Sequence, residues 1–336
     1  MKIAILSPIA WRTPPRKYGP WEQVASNIAE GMVERGIDVT LFATGDSITK
    51  GKLMSVCEQP YSENSSVDPK VAECLHISYL MEQADKFDLI HNNFDFLPLS
   101  YSRLIKTPML TTIHGFSSTK ILPVFKKYNG SSYYVSISNS DRSPDLDYVA
   151  TVYNGVNTKE FIFRPESEDY LLFFGRIHPE KGVYESIQIS KKSKRKLIIS
   201  GLIQDQDYFN LRVKPFIDDN DVVYVGNSGP DERNKLLGGA FALLHPISFE
   251  EPFGLSVVEA MFCGTPVIAF NKGSMPELIL DGKTGFLVNT IQEAIEAVNN
   301  IKMINRKYCW EWATSKFSQQ KMIEGYLEVY ERILSV

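Results

Sequence analysis

The sequence predicts an α/β protein with two consecutive doubly wound units, each built on a parallel sheet with helices on both faces. Three observations support this prediction. The chain has 336 residues, which is more than one hydrophobic core usually covers. Continuous apolar runs, which are typical of parallel strands buried on both faces, alternate with segments of helical periodicity. The alternation starts again after the turn-forming residues 154–157, where we place the boundary between the units.

Each half of the chain supplies its own strands and helices. The strands predicted in the first half are residues 3–6, 39–43, 88–91, 109–114 and 133–138. Those predicted in the second half are residues 171–174, 196–200, 222–225, 242–245, 266–269 and 285–288. The predicted helices include residues 21–36, 183–191, 231–238 and 255–264. A last amphipathic helix covers residues 318–334, and its periodicity leaves open which unit it packs on.

The composition argues against several classes of protein. With 36 Lys and Arg against 40 Asp and Glu, the net charge of −4 argues against nucleic-acid binding. The basic run 191–196 is either a solvated helix end or a contact with a membrane surface. No apolar run approaches 18 residues, and the one at the start is too short for a signal peptide. Four cysteines without a CxxC pair indicate reduced thiols in a cytosolic protein: Cys57, Cys74, Cys263 and Cys309.

Two cations follow the first predicted strand of the second half. Ligands of open α/β sheets bind at the carboxyl ends of strands, and residues 175–182 come directly after strand 171–174. Arg176 has a planar guanidinium that can donate two hydrogen bonds to phosphate oxygens, and Lys181 has an ammonium with a compact positive charge. The pair suits a diphosphate, and the alternative is two surface cations in a polar loop.

Two acids, Glu251 and Glu259, bracket a short turn that opens an apolar helix. If residues 251–259 were all helical, the two acids would lie about 12 Å apart. Together with the unpaired amides of a helix N-terminus, they could line an extended, phosphorylated ligand. The alternative is two surface acids beside a buried helix.

The first half carries weaker signals. Prolines and Gly19 fix the backbone of residues 11–22, which precede a predicted helix. This loop either presents backbone amides to a bound anion or is a plain connection between strand and helix. The loop is neither a dinucleotide-binding nor a P-loop motif. His91 and His114 each end a predicted strand, where a His either takes part in hydroxyl binding or proton transfer or is a satisfied structural donor.

Two acidic DxD spacings have the form of a divalent-metal site beside a diphosphate: residues 145–147 and 205–207. Neither spacing directly follows a continuous apolar run of the kind that predicts a strand. We therefore interpret both spacings as chance occurrences. No metal site is predicted.

Taken in order, these segments resemble the retaining glycosyltransferases of family 4, which have the GT-B fold. Residues 175–182 resemble the GRxxxxKG loop of that family, and residues 251–261 resemble its E-x7-E element. Further matching segments are residues 14–19, 112–115, 264–269 and 273–278. The resemblance covers essentially the whole chain and is more specific for the family than for the substrate.

The resemblance implies two Rossmann-like doubly wound domains that face each other across a cleft. Residues 1–156 would form the acceptor-side domain, and residues 157–315 the domain that binds the nucleotide-sugar donor. The last helix, from about residue 316 to 336, would return to the first domain.

The implied activity is transfer of a hexosyl group from a UDP- or GDP-linked sugar to a hydroxyl acceptor. Anomeric configuration would be retained through front-face attack, with no metal or other cofactor. The acceptor would be a carbohydrate, a lipid-linked molecule or a small metabolite, its choice set by loops such as 46–68 and 116–130. A cytoplasmic location is expected, with contact to a membrane surface left open.

Roles follow residue by residue from the resemblance. Arg176 and Lys181 would hold the donor diphosphate, and Glu259 the ribose hydroxyls. Glu251 would lie by the transferred sugar, and His114 would contact a sugar hydroxyl near the reaction centre. The catalytic set is thus Glu251, His114, Arg176 and Lys181. Of the donor-binding residues, Gly19 would approach the diphosphate, and Val225 and Gly226 would lie at the base. The amides of Phe253, Gly254 and Leu255 would contact the sugar and the phosphate. The donor-binding set is completed by Arg176, Lys181, Glu251 and Glu259.

Two departures from the family pattern bear on sugar selectivity. Pro252 replaces the usual Gly before Phe253, which removes an amide donor, and Pro20 replaces the second Gly of the first loop. An epimerase of nucleotide sugars or a phosphorylase would use the same two-domain architecture. A nucleotide-sugar-binding protein without catalysis is the alternative from another class.

Overall fold

The computed structural model describes residues 1–116 and 118–335. The chain forms two compact units, of which the first is Met1–Gly155 joined by the last helix and the second is Val156–Ser318. The boundaries predicted from the sequence lie within three residues of these bounds.

The first unit is built on a seven-stranded sheet in which every pair of neighbouring strands is parallel. Its strands are β1 (Lys2–Leu6), β2 (Asp38–Phe42), β3 (Lys52–Met54), β4 (Leu89–Asn92), β5 (Met109–Ile113), β6 (Tyr133–Ser136) and β7 (Tyr148–Thr151). Their order in the sheet is β3-β2-β1-β4-β5-β6-β7. The five inner strands were all predicted. The two edge strands were missed because they are short and only partly buried, so neither gives a continuous apolar run.

Three helices follow strands in the first unit. They are α1 (Pro20–Glu34), α2 (Pro69–Met81) and α3 (Leu122–Tyr128), with shorter 3₁₀ turns at Ala84–Lys86, Leu97–Tyr101 and Thr119–Ile121. Helix α1 begins at Pro20, one residue before its predicted start, because the first helical position needs no N–H donor. The prediction that residues 46–68 and 116–130 are loops was partly wrong. Strand β3 lies in the first segment and helix α3 in the second. Ser117, in the second stretch, lies outside the described residues.

The second unit repeats this plan with six parallel strands. They are β8 (Tyr170–Phe174), β9 (Lys196–Ser200), β10 (Val222–Tyr224), β11 (Ala242–His245), β12 (Val267–Phe270) and β13 (Gly285–Val288). The order β10-β9-β8-β11-β12-β13 is the order of the first six strands of the other unit. The prediction of two Rossmann-like doubly wound units is therefore confirmed.

The remaining helices lie in the second unit and at the end of the chain. They are α4 (Val183–Ser193), α5 (Gln206–Tyr208), α6 (Pro230–Gly239), α7 (Leu255–Phe262), α8 (Met275–Leu278), α9 (Ile291–Asn300), α10 (Arg306–Phe317) and α11 (Gln319–Leu334). A π-helical turn lies at Phe209–Val213, and 3₁₀ turns lie at Thr158–Glu160, Pro179–Lys181, Lys214–Phe216 and Ile301–Met303. Within the described residues, no helix combines the length and apolar character needed to cross a membrane.

Helix α11 packs into the first unit, as the resemblance implied. Its Tyr330 hydroxyl lies 2.6 Å from Nδ1 of His91, whose Nε2 lies 2.7 Å from Oγ1 of Thr112. The Tyr326 hydroxyl, also from α11, lies 2.8 Å from the same Thr112 oxygen. All four side chains are buried. Both nitrogens of His91 are thus satisfied inside the core, and His91 is a structural residue.

The hydrogen bond to His91 predicts a stability effect at Tyr330. Tyr330→Phe leaves His91 Nδ1 buried without a partner, so we expect the free energy of unfolding to fall by about 1–3 kcal/mol. Urea unfolding measures the change. Tyr308→Phe, at an exposed position of α10, is the matched control and should change stability by less than about 0.5 kcal/mol. Equal effects of the two substitutions would contradict the structural role of this bond.

Candidate active site

Two loops at the carboxyl edge of the second sheet bring Lys181 and Glu251 together. The loops follow β8 and β11, which are neighbours in the sheet. The Ser248 amide donates to the Glu180 carbonyl at 2.9 Å and so joins the loops next to both side chains. The Lys181 ammonium lies 2.5 Å from Oε2 of Glu251, and their side chains are only 14% and 11% exposed. Two predicted site residues seventy positions apart are therefore direct partners.

The surroundings of this pair keep Glu251 ionised. Burial by itself raises the pKa of Glu251, but the Lys181 ammonium and His245 outweigh it and lower the pKa to about 2. His245 ends β11, and its Nε2 lies 3.5 Å from the same carboxylate oxygen. Burial lowers the pKa of His245, so its ring is neutral at pH 7. The Lys181 ammonium also lies 4.6 Å from the centre of the Phe249 ring, a cation–π contact.

Gly182 permits the close approach of the two loops. It has a left-handed backbone with φ of 77°, and an added Cβ would lie 2.1 Å from the carbonyl oxygen of Pro246. Any side chain here would separate the loop after β8 from the end of β11. The glycine that ends residues 175–182 is therefore required for the position of Lys181.

A turn after β12 holds the backbone that carries Glu251. The Ser274 amide donates to the Glu251 carbonyl at 2.9 Å, and the Ser274 hydroxyl donates to the Phe253 carbonyl at 2.6 Å. Helix α7 begins only at Leu255, after Gly254, and has no side-chain cap. Glu251 thus lies in a loop, and the separation of about 12 Å, which assumed a continuous helix, does not apply.

Glu259 lies on α7 in a cluster organised by Arg233 of α6. One guanidinium nitrogen of Arg233 lies 3.3 Å from Oε1 of Glu259, and another lies 3.4 Å from Oε2 of Glu160. Phe161 packs on the guanidinium at 4.9 Å. Burial raises the pKa of Glu259, and Arg233 opposes that rise. One arginine therefore orients the predicted ribose-binding carboxylate.

The other predicted donor contacts lie along the same edge of the sheet. Arg176 follows β8, is partly exposed, and donates to the neutral side chain of Gln204. Val225 and Gly226 follow β10; Val225 is 36% exposed, and a Cβ on Gly226 would meet no atom within 4 Å. The structure therefore leaves the predicted base-binding position accessible.

In the first unit, His114 follows β5 and is buried. Its Nε2 lies 3.0 Å from Oδ1 of Asn93, which follows β4. The ring stacks on Trp21 with centroids 5.6 Å apart. Burial lowers the pKa of His114 to about 3, so the ring is neutral at pH 7.

The loop around Gly19 contains a buried acid that the sequence did not single out. Gly19 has φ of 150°, and an added Cβ would lie 2.8 Å from Cβ of Pro15 and 3.1 Å from Oε2 of Glu22. Glu22, in the first turn of α1, accepts a hydrogen bond from the Trp11 amide at 3.1 Å. Its burial raises the pKa to about 7. Gly19 is thus packed directly on a carboxyl group.

Three of the four acids of the DxD spacings have other partners. Asp145 pairs with Lys126 at 2.7 Å, Asp147 accepts from Asn129 at 2.9 Å, and Asp205 caps the turn at Tyr208. Within residues 1–116 and 118–335, no group of three or more His, Cys, Asp or Glu side chains could hold a metal ion. Metal independence itself stays a prediction.

Sequence reasoning missed four residues beside the predicted ones: Glu22, Asn93, Arg233 and His245. His245 could have been found, because it ends a strand just as His91 and His114 do. Arg233 and Glu22 lie in first turns of helices, where charged residues are usually solvated, and no sequence signal marks their burial.

Comparison with known proteins gives similarities to glycosyltransferases. Residues 157–308 match the family model described as glycosyl transferases group 1. The uncharacterized glycosyltransferase MJ1178 of Methanocaldococcus jannaschii is 29% identical over 305 residues, which cover 79% of this chain and 84% of the relative. These matches indicate a glycosyltransferase. The predicted residues Arg176, Lys181, Glu251 and Glu259 all lie within the matched segment.

Solved structures show the fold. Sucrose-phosphate synthase of Thermosynechococcus elongatus has a TM-score of 0.81 and 17% identity, with 100% of this chain and 99% of that chain covered. Anabaena HepE in complex with UDP and glucose has a TM-score of 0.75 and 20% identity, with 99% and 100% covered. The predicted GT-B fold is confirmed.

The buried acid at Glu22 predicts a pH-dependent effect on stability. Because the folded-state pKa is about 7 against an ordinary value of 4.5, the unfolded chain releases this proton first as pH rises. Ionisation of Glu22 therefore lowers the free energy of unfolding progressively from pH 4.5 to pH 7, by about 3 kcal/mol in total. We expect Glu22→Gln, which removes this cost, to become progressively more stable than the wild type over this range.

Urea unfolding at pH 4.5, 6 and 8 measures the difference. Glu328→Gln, at an exposed position of α11, is the control and should show a much smaller swing. A Glu22→Gln difference that is constant with pH would contradict the buried, protonated state.

Proposed function

We propose that this chain is a retaining glycosyltransferase that moves a hexosyl group from a UDP- or GDP-linked sugar to a hydroxyl acceptor without a metal. The observation that carries the proposal is the buried pair of Lys181 and Glu251, within the segment that matches the group 1 model. The acceptor is a carbohydrate, a lipid-linked molecule or a small metabolite.

Charge on the departing nucleoside diphosphate is stabilised by the chain's own cations and amides. The Lys181 ammonium has three N–H donors, and its contact with Glu251 uses one, which leaves two for phosphate oxygens. Arg176 adds a second cation, and the uncapped N-terminus of α7 adds amides and a partial positive charge. Such preorganised donors act where negative charge develops and need no metal.

Glu251 acts as a fixed negative charge in this proposal. Because its pKa is about 2, it holds no proton to donate near pH 7. A carboxylate beside the sugar instead favours the positive, oxocarbenium-like character that the anomeric carbon develops. Front-face attack retains the configuration, and no side chain is assigned as a covalent nucleophile.

The nucleotide is bound by Glu259 and by the residues after β10. A carboxylate accepts hydrogen bonds from both hydroxyls of a ribose, and Arg233 favours its charged form. Val225 and Gly226 offer an accessible position for the base. HepE was solved with UDP and with UDP-glucose, which supports a UDP-linked donor without excluding a GDP-linked one.

Substitutions at the ion pair test the proposal. We expect Glu251→Gln and Lys181→Ala to reduce transfer by on the order of 100-fold or more, because each removes charge stabilisation near the reacting groups. Glu250→Gln is the matched control, since the neighbouring acid is exposed and accepts a hydrogen bond from the Gly273 amide. Circular dichroism verifies folding, and product formation from radiolabelled UDP- and GDP-sugars gives the rates. Near-normal kinetics in both site variants would rule out this assignment.

Metal independence is tested separately. We expect full transfer in excess EDTA, because cations and amides of the chain neutralise the diphosphate. Loss of activity in EDTA that Mn²⁺ or Mg²⁺ restores would reopen the metal alternative. Donor epimerisation or phosphate-dependent cleavage without acceptor glycosylation would instead indicate an epimerase or a phosphorylase. Tight donor binding without turnover would indicate a binding protein.

A further inference from the structure

The part of the first unit around β5 carries charge of one sign. Residues 96–140 contain no Asp or Glu, although the whole chain has 40 of these acids against 36 Lys and Arg. The same segment contains five cations, which are Arg103, Lys106, Lys120, Lys126 and Lys127. A chain with a net charge of −4 therefore has a positively charged stretch of 45 residues in one unit.

The fold brings cations from two parts of this segment together, shortly before β5 and β6. Arg103 donates to the Lys127 carbonyl at 2.6 Å, and its guanidinium lies 5.4 Å from the centre of the Tyr128 ring. The Lys127 ammonium lies 5.1 Å from the same ring. Lys126, by contrast, pairs with Asp145 at 2.7 Å. A carbonyl and a ring have no net charge, so the contacts of Arg103 and Lys127 leave both charges uncompensated.

A cavity of about 220 Å³ lies beside these cations, at the amino ends of β5 and β6. The described residues that line it include Ser102, Lys106, Ser131 and Tyr133, and none of them is acidic. The hydroxyls of Ser102 and Ser131 lie 3.3 Å apart and connect the two segments that lead into the strands. An ammonium and hydroxyl groups donate hydrogen bonds to phosphate oxygens, so this lining suits a phosphate group.

An exposed leucine favours a membrane over other partners that carry phosphate. Leu104 follows Arg103 and is 78% exposed, and its amide donates to the Tyr101 carbonyl at 2.8 Å. A single exposed leucine is ordinary, but this one lies beside uncompensated cations. A nucleic acid or a free phosphate would contact the cations and leave Leu104 in water. An anionic membrane offers phosphates to the cations and acyl chains to the leucine.

We propose that the surface formed by Arg103, Leu104, Lys106 and Lys127 docks the first unit on an anionic membrane. In this contact the cations lie at lipid phosphates, the cavity beside Lys106 takes one headgroup, and Leu104 enters the boundary of the acyl chains. The inference goes beyond the proposed function and is tested without donor or acceptor. If both proposals hold, the lipid-linked class of acceptor is favoured.

The basic run 191–196 of the second unit provides the comparison. Within it, Arg195 pairs with Asp169 and packs on the Phe241 ring at 3.8 Å. Its three exposed lysines are Lys191, Lys192 and Lys194. The same unit has a highly exposed leucine, Leu211, at 74%. The chain therefore contains matched control positions for both the cations and the leucine.

Vesicle sedimentation tests the cations. The full chain is mixed with vesicles of phosphatidylcholine alone, or of phosphatidylcholine with phosphatidylglycerol, in buffer without phosphate. We expect the wild type to prefer the anionic vesicles and to bind them more weakly as salt is added. The combined variant Arg103→Gln, Lys106→Gln and Lys127→Gln should bind about 100-fold more weakly, because each cation near an anionic surface contributes about 5-fold.

The combined variant Lys191→Gln, Lys192→Gln and Lys194→Gln is the matched control, because it removes the same charge from exposed positions of the other unit. We expect it to bind the anionic vesicles as the wild type does. Circular dichroism verifies that both variants are folded. Equal losses in the two variants, or equal binding of the wild type to both kinds of vesicle, would overturn the proposal.

Leu104→Gln tests the apolar contact without a change of charge and at a position too exposed to disturb the core. We expect binding to anionic vesicles to weaken by about 10-fold, because the leucine no longer leaves water. Leu211→Gln should bind as the wild type does. Wild-type affinity in Leu104→Gln would overturn the membrane contact. Calorimetric binding of inorganic phosphate without any vesicle binding would also overturn it and would indicate a site for a small anion.

Discussion

The buried ion pair of Lys181 and Glu251 is the interaction on which the arrangement of the second unit depends. Removing two charges from water costs several kcal/mol for each ion, and their attraction offsets this cost only when the geometry is held closely. The bond from Ser248 to Glu180, the contact of Gly182 with Pro246 and the bond from Ser274 to Glu251 all hold the backbone around it. Loops after three different strands are therefore fixed relative to one another.

This arrangement is better explained by chemistry than by stability. A buried ion pair is weak evidence for a stabilising interaction, because well-packed apolar side chains often stabilise a protein as much. What the pair supplies is a carboxylate and an ammonium at fixed positions, with little reorganisation needed when charge develops. In the same way, Arg233 holds the carboxylate of Glu259 at a fixed position at the proposed ribose site.

The first unit uses histidine in two ways at successive strands. His91 and His114 lie in or after neighbouring strands, and both are neutral because burial lowers the pKa of each to about 3. Tyr330 of α11 gives His91 its second partner, so that His91 belongs to the core. His114 has one partner within the fold, Asn93, and keeps one nitrogen unpaired. Because α11 supplies a partner to His91 and not to His114, His91 is structural and His114 is a candidate binding residue.

The sequence by itself determined most of the strands and several of the helices, and it named most of the residues proposed for the site. Apolar runs identified eleven of the thirteen strands in residues 1–116 and 118–335, and the short edge strands β3 and β7 gave no such run. Lys181, Glu251 and Glu259 were identified by residue type and by their positions after strands. Tertiary structure decided which of these groups are partners and which are charged. A pKa depends on burial and on neighbours distant in sequence. Only the fold therefore shows that Lys181 keeps Glu251 ionised and that burial raises the pKa of Glu22 to about 7.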